Sequence, residues 1–112
     1  MIGQRIKVAY NQMDAAVAYY RTICAVNKIP ITKKQVYLLA FTAVRGSITN
    51  PAAREEFCST YKSSKATVNN MISALSKKKL FVKNNNKIGI NPIIALDFNQ
   101  PISLRIDISY VN

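Results

Sequence analysis

Between Phe57 and Val82 the chain reads FCSTYKSSKATVNNMISALSKKKLFV, and its apolar spacing changes once. Up to Leu75 the apolar residues recur three and four apart, the period of a helix face. From Leu80 onward they alternate, the period of a half-buried strand. A helix pair running straight into a hairpin leaves few folds open. The helical part is unusual in its outer face. From Cys58 to Val82 there is no acid, and the positions turned away from the apolar side carry only small, amide, hydroxyl or lysine side chains.

The segments around this stretch punctuate themselves. NPAAREEFCSTYK opens with Asn50 as a cap and Pro51 at the first helical position, and Phe57, Cys58 and Tyr61 should face inward. After a KSS turn, Ser64 caps a further helix reaching to about Lys79. Upstream, ITKKQVYLLAFTAVRG has Thr32 and Gln35 spaced for a capping box and Ile31 and Val36 for a hydrophobic staple. Val36, Leu39, Ala40, Ala43 and Val44 form its expected buried stripe, and Gly46 closes it. A first helix is expected from about Gln12 to Asn27, capped by Asn11 and facing inward through Met13, Val17, Tyr20 and Cys24, with Ala16 and Ile23 beside them. Pro30 stops any continuation.

The ends read differently. QRIKVAY, Gln4 to Tyr10, alternates and fits a short strand. LFVK, a turn at NNN and KIGIN form a hairpin. PIIALDF and PISLRIDISYV follow, the latter with Ile102, Leu104, Ile106, Ile108 and Tyr110 on one face and Ser103, Arg105, Asp107 and Ser109 on the other, a long half-buried strand. The expectation is one α+β domain over 1–112. Its core spans 31–90, and 4–27 and 92–111 are extensions able to join copies. Tyr10, Tyr19, Tyr20, Tyr37 and Phe41 fall at core or interface spacing rather than in a base-stacking strand motif.

Composition narrows the function classes. Lys and Arg total 16 against 5 Asp and Glu, a formal charge of +11. Such a field attracts polyanions, with nucleic acid foremost and an anionic surface or acidic protein next. Part of the lysine count reflects a bias toward Asn, Lys, Ile and Tyr, residues with AT-rich codons; that bias does not explain the shortage of acids. Histidine is absent, which removes the commonest general base and metal ligand. Glu55 and Glu56 point apart on a helix, and Asp14, Asp97 and Asp107 have no evident partner, so neither a catalytic constellation nor a cofactor site is expected. Cys24 and Cys58 lack metal spacing and fit reduced, buried thiols. No apolar run is long enough for a bilayer and no signal peptide is visible after Met1 and Ile2, so a cytoplasmic protein is expected, with a virion as another location.

Stepping round the fourth helix at 100° per residue, Val68, Met71, Ile72 and Leu75 gather on one side. Opposite them stand Ala66, Asn70, Ser73 and Lys77, flanked by Asn69 and Ala74. Small residues let a helix approach a major-groove floor, Asn can pair with adenine N6 and N7, and Lys can reach guanine or phosphate. The same stripe also suits an ordinary solvated face.

The stretch resembles the helix-turn-helix of winged-helix DNA-binding proteins, whose pattern reads roughly Leu-Ala-x-x-Leu-x-x-Ser-x-x-Thr-Val, then Ile-x-x-Leu, then Lys-Gly-Leu-Ile. Phe57, Cys58 and Tyr61 take the first packing positions, Ser64 the cap, Thr67 and Val68 the Thr-Val pair, Ile72 and Leu75 the later core, and Leu80 and Phe81 the start of the wing. ITKKQVYLLAFTAV is similar to the first helix of MarR-like regulators, and the likeness runs from about Ile31 to Ile90. Lys62 and Lys79 stand where that pattern carries glycine. The resemblance implies a small transcription regulator binding double-stranded DNA. Ser64, Lys65, Ala66, Thr67, Asn69, Asn70, Ser73 and Lys77 would lie in the major groove, with Lys83, Asn84, Asn85, Asn86 and Lys87 on backbone or minor groove. A polar hairpin tip explains the last five equally well, and Lys77 to Lys79 also suit the negative end of a helix dipole. The competing expectation is a phage or mobile-element assembly or replication protein reusing this fold, joined to its neighbours by terminal strands.

Overall fold

The computed structural model describes residues 3–110. Four helices and one antiparallel hairpin follow in order: α1 (Gln12–Val26), α2 (Lys33–Arg45), α3 (Pro51–Tyr61), α4 (Lys65–Lys77), β1 (Phe81–Asn84) and β2 (Lys87–Ile90), then a 3-10 turn at Pro92–Ile94. Every helix starts where a side chain can satisfy its first free amides. Asn11 accepts from the Asp14 amide, Asn50 from Ala52 and Ser64 from Thr67, and Thr32 and Gln35 form a reciprocal capping box. Gly46 ends α2 at φ 98°, a conformation glycine adopts without a Cβ penalty.

The core is built round α2, which α1, α3, α4 and β2 all touch. That explains a departure from the single expected stripe. Val36, Leu39 and Ala40 are buried as their spacing requires, but so are Leu38, Phe41 and Thr42, whereas Ala43 and Val44 are only half-buried. A helix enclosed on several sides has no single inward face. The Thr42 hydroxyl is satisfied by donating to the Leu38 carbonyl at 2.8 Å. Phe57 is fully buried, stacked edge-on to Phe41 and tilted against Tyr61, while Cys58 and Tyr61 are half-buried. On α1 the buried residues are Ala16, Tyr20 and Cys24, with Met13, Val17 and Ile23 at the margin. The Tyr20 hydroxyl donates to the Ile94 carbonyl at 3.0 Å and its ring meets Phe98, which fastens the chain after the hairpin onto α1.

The hairpin pairs Phe81 with Ile90, Val82 with Gly89, Lys83 with Ile88 and Asn84 with Lys87. Asn85 and Asn86 make the two-residue turn, both at positive φ (51° and 61°), as a type I′ turn requires. The loop after α2 lies beside β2. The Ile48 amide donates to the Ile88 carbonyl at 2.9 Å, and the Ile88 amide to the Thr49 hydroxyl at 2.6 Å. Gly89 permits this approach, since a Cβ there would stand 3.2 Å from the Gly46 carbonyl oxygen.

The expected terminal strands do not form. Residues 3–11 and 101–110 form neither helix nor strand pairing, and PIIALDF holds a 3-10 turn rather than a strand. Alternation fixes which side chains share a face, but a strand also needs a partner edge, and among the described residues β1 and β2 bond to each other and to the loop at Ile48 and Thr49. Tyr10, expected in a core or interface, is 55% exposed. Val111, the last residue of the expected C-terminal extension, and Met1, Ile2 and Asn112 lie outside the described residues. The radius of gyration, 15.1 Å, exceeds the roughly 13 Å of a compact chain this long, as projecting ends require.

Candidate nucleic-acid interface

The outer face of α4 is open. Val68, Met71, Ile72 and Leu75 are buried, and Lys65, Ala66, Thr67, Asn69, Asn70, Ser73 and Lys77 are exposed, with Ala74 half-buried. Ala66, Asn70, Ser73 and Lys77 form one stripe along the helix, about 16 Å long at 1.5 Å per residue. Among the described residues, the side chains of Asn70, Ser73, Lys65 and Lys77 make no hydrogen bond or ion pair with the rest of the chain, so their polar atoms are available to a ligand. Ser64 and Thr67 are occupied in the cap: the Thr67 amide donates to Ser64 Oγ at 3.1 Å, and the Ser64 hydroxyl donates to Thr67 Oγ1 at 2.8 Å.

Asn69 differs from Asn70. Its Oδ1 accepts from Arg54 Nη1 at 2.8 Å, and the same guanidinium donates through Nε to the Ile48 carbonyl at 2.8 Å. Asn69 Oδ1 is therefore already engaged and its side chain held toward Arg54, whereas among the described residues both polar atoms of Asn70 are unbonded. The bidentate pairing that identifies adenine needs both. Arg54 was not singled out by the sequence, because a lone arginine on α3 carries no spacing signal. Its bonds complete a chain from β2 through Ile48 to α4, which holds hairpin and helix in one relative position.

Lys83, Asn84, Asn85, Asn86 and Lys87 at the hairpin tip are all exposed. The register puts Lys83 on the ribbon face of Phe81 and Ile88, and Lys87 with Asn84 on the opposite face. The two lysines thus flank the tip on opposite sides. Lys77 points outward, but Lys78 folds back, its ammonium donating to the Pro30 carbonyl. Lys62 and Lys79, at the ends of α3 and of the α4 segment, both lie at positive φ (51° and 61°). They keep the backbone path that glycine would favour.

Acids sit away from the stripe. Glu56 pairs with Arg45. Glu55 lines, with Arg54, Cys58, Ser59 and Lys65, a groove of about 660 Å³ between α3 and the start of α4. Cys24 and Cys58 are free thiols, and burial raises the Cys24 pKa, against a smaller opposing effect of Lys78. Among the described residues no cluster of His, Cys, Asp or Glu could hold a metal ion, and no helix is long and apolar enough to cross a membrane. No protein-family model, curated protein or solved structure matches the chain.

Proposed function

We propose that the chain is a DNA-binding protein of the winged helix-turn-helix kind, a small transcription regulator. In this reading α3 and α4 form the helix-turn-helix, α4 enters the major groove and the β1–β2 tip follows the adjacent backbone or minor groove. One observation carries it: the stripe of Ala66, Asn70, Ser73 and Lys77 is exposed, free of acids and unbonded within the chain, on a basic protein of net charge +11. Asn70 is the adenine reader, Ser73 and Lys77 are further groove contacts, and Lys65, Lys83 and Lys87 are phosphate contacts. Arg54 positions Asn69 and the helix rather than reading bases.

The test is selection of bound duplexes from a random pool at physiological salt. A regulator enriches one motif over the pool by several orders of magnitude. Equal binding to every duplex would reduce the role to charge alone. A second reading, a phage or mobile-element assembly protein on the same scaffold, is favoured by the exposed amphipathic ends. It predicts rings or filaments of the purified chain that ignore DNA.

A further inference from the structure

The chain's ends carry its largest apolar surface without a partner. Ile6, Val8 and Tyr10 before α1, and Ile102, Leu104, Ile106, Ile108 and Tyr110 at the other end, are 40% to 96% exposed. Both tails leave the core at one place, where Gln12 Nε2 donates to Asn99 Oδ1 at 2.8 Å. We infer that residues 102–110 are the interface with a second copy of this chain, joined as an antiparallel, two-fold strand pair centred on Ile106.

The order of chemistry along ISLRIDISY carries the inference. Outward from Ile106, the residues mirror one another: Arg105 and Asp107 are opposite charges, Leu104 and Ile108 branched and apolar, Ser103 and Ser109 hydroxyls, Ile102 and Tyr110 large and apolar. Two identical strands crossing antiparallel at Ile106 set each residue against its mirror. Arg105 then faces the other copy's Asp107 twice, and every apolar residue faces an apolar one. Centring on Leu104 or Ile108 keeps the apolar face but loses both ion pairs, and the registers nearest Ile106 are worse. Centring on Arg105 opposes two arginines, and centring on Asp107 opposes two aspartates. A shift by one residue sets apolar positions against polar ones and mixes the two faces. Within one chain Arg105 Nε already approaches Asp107 Oδ2 at 3.3 Å in a highly exposed pair, which the second copy would replace with two cross-strand pairs.

Charge favours this end for self-association. The chain is strongly basic, yet from Asp97 to Tyr110 its only charged residues are Asp97, Arg105 and Asp107. Two copies approaching through this segment avoid the repulsion that meets them elsewhere. A two-stranded ribbon alone is marginal in water. The Gln4–Tyr10 segment is rooted beside Asn99 and runs toward the core where the other tail runs away from it. Laid alongside that tail in the dimer, it would run antiparallel to it and add an outer strand on each side, with Ile6, Val8 and Tyr10 extending the apolar face.

This pairing holds whether or not α4 meets DNA, and sedimentation without DNA tests it. Four samples are compared with the unaltered chain: Arg105→Asp, Asp107→Arg, the double exchange, and an equal mixture of the two single variants. The unaltered chain is expected to be a dimer at micromolar concentration. Each single exchange opposes like charges twice and should weaken the dimer about tenfold or more. The double exchange restores it. The mixture forms a heterodimer, because a doubly acidic tail meets a doubly basic one, although neither single variant holds an attractive pair within its own chain. Since both side chains are highly exposed, the helical circular-dichroism signal and the Tm of the core should match the unaltered chain in all four samples, and only the strand contribution of the paired tails should fall in the two single variants. A monomeric unaltered chain, single exchanges that leave the dimer intact, or a mixture without heterodimer each overturns the inference.

Discussion

Replacing Lys62 and Lys79 with glycine should stabilise the fold, although both changes remove side chains. Both residues hold a left-handed backbone, which costs an L-residue about 1–2 kcal/mol. Glycine relieves that cost but loses about 0.5–1 kcal/mol to its freer unfolded chain. The net gain is about 0.5–1 kcal/mol per site. Little is lost in exchange. The bonds at these residues are to backbone: the Lys62 amide donates to the Cys58 carbonyl, the Lys79 amide to Ser76, and the Lys79 carbonyl accepts from Asn91 Nδ2 at 2.9 Å. The sites lie at opposite ends of α4 and share no partner, so their effects should add. The double variant should gain about 1–2 kcal/mol, a rise in Tm of roughly 5–10 °C for a domain this size. Removing two cations from a highly basic chain could also stabilise it, and the matching alanine variants separate the causes. They remove the same charges but keep a Cβ, so they should stay within about 0.5 kcal/mol of the unaltered protein. Chemical denaturation of all three reads the difference. Alanine and glycine variants of equal stability would refute the backbone argument.

Other outcomes follow from single contacts. Gly89→Ala should cost about 1 kcal/mol or more, read by chemical denaturation, since its Cβ would crowd the Gly46 carbonyl at 3.2 Å and loosen the hairpin from the loop. Burial raises the Tyr20 hydroxyl well above the ordinary tyrosine range, and Tyr19 and Tyr61 in the same direction. The fold disfavours their ionised forms, so stability is full below about pH 10 and falls as pH climbs beyond it. Tyr20→Phe should cost about 1 kcal/mol at neutral pH, through the lost bond to Ile94, and make the alkaline fall shallower in pH-dependent denaturation. Lys83→Ala and Lys87→Ala should weaken binding to all duplexes alike, each lowering the salt slope by roughly one in titrations at several ionic strengths.

The helices were legible because their starts are local. Asn11, Thr32, Asn50 and Ser64 each cap through their own side chain, and such bonds need no knowledge of the rest of the fold. The hairpin was legible for the same reason, since consecutive asparagines tolerate the turn's positive φ. What needed a partner was not legible. Ile102 to Tyr110 alternates as a strand does, yet nothing in its pattern says which edge it meets within one chain. The enclosure of α2 depends on four neighbours, so one stripe under-described it. At the candidate interface the open stripe followed from helical periodicity. The difference between Asn69 and Asn70 did not, because it rests on an arginine fifteen residues away.

If the outer face of α4 reads bases, Asn70→Ala must lose affinity for the selected duplex. Titration is run against that duplex and against versions with each A·T pair exchanged in turn. A loss of roughly 1–3 kcal/mol is expected on the selected duplex, with indifference at one A·T position. Asn69→Ala, with its acceptor already held by Arg54, should keep the preference at that position. Full discrimination by Asn70→Ala at every position would mean that the α4 stripe does not read bases.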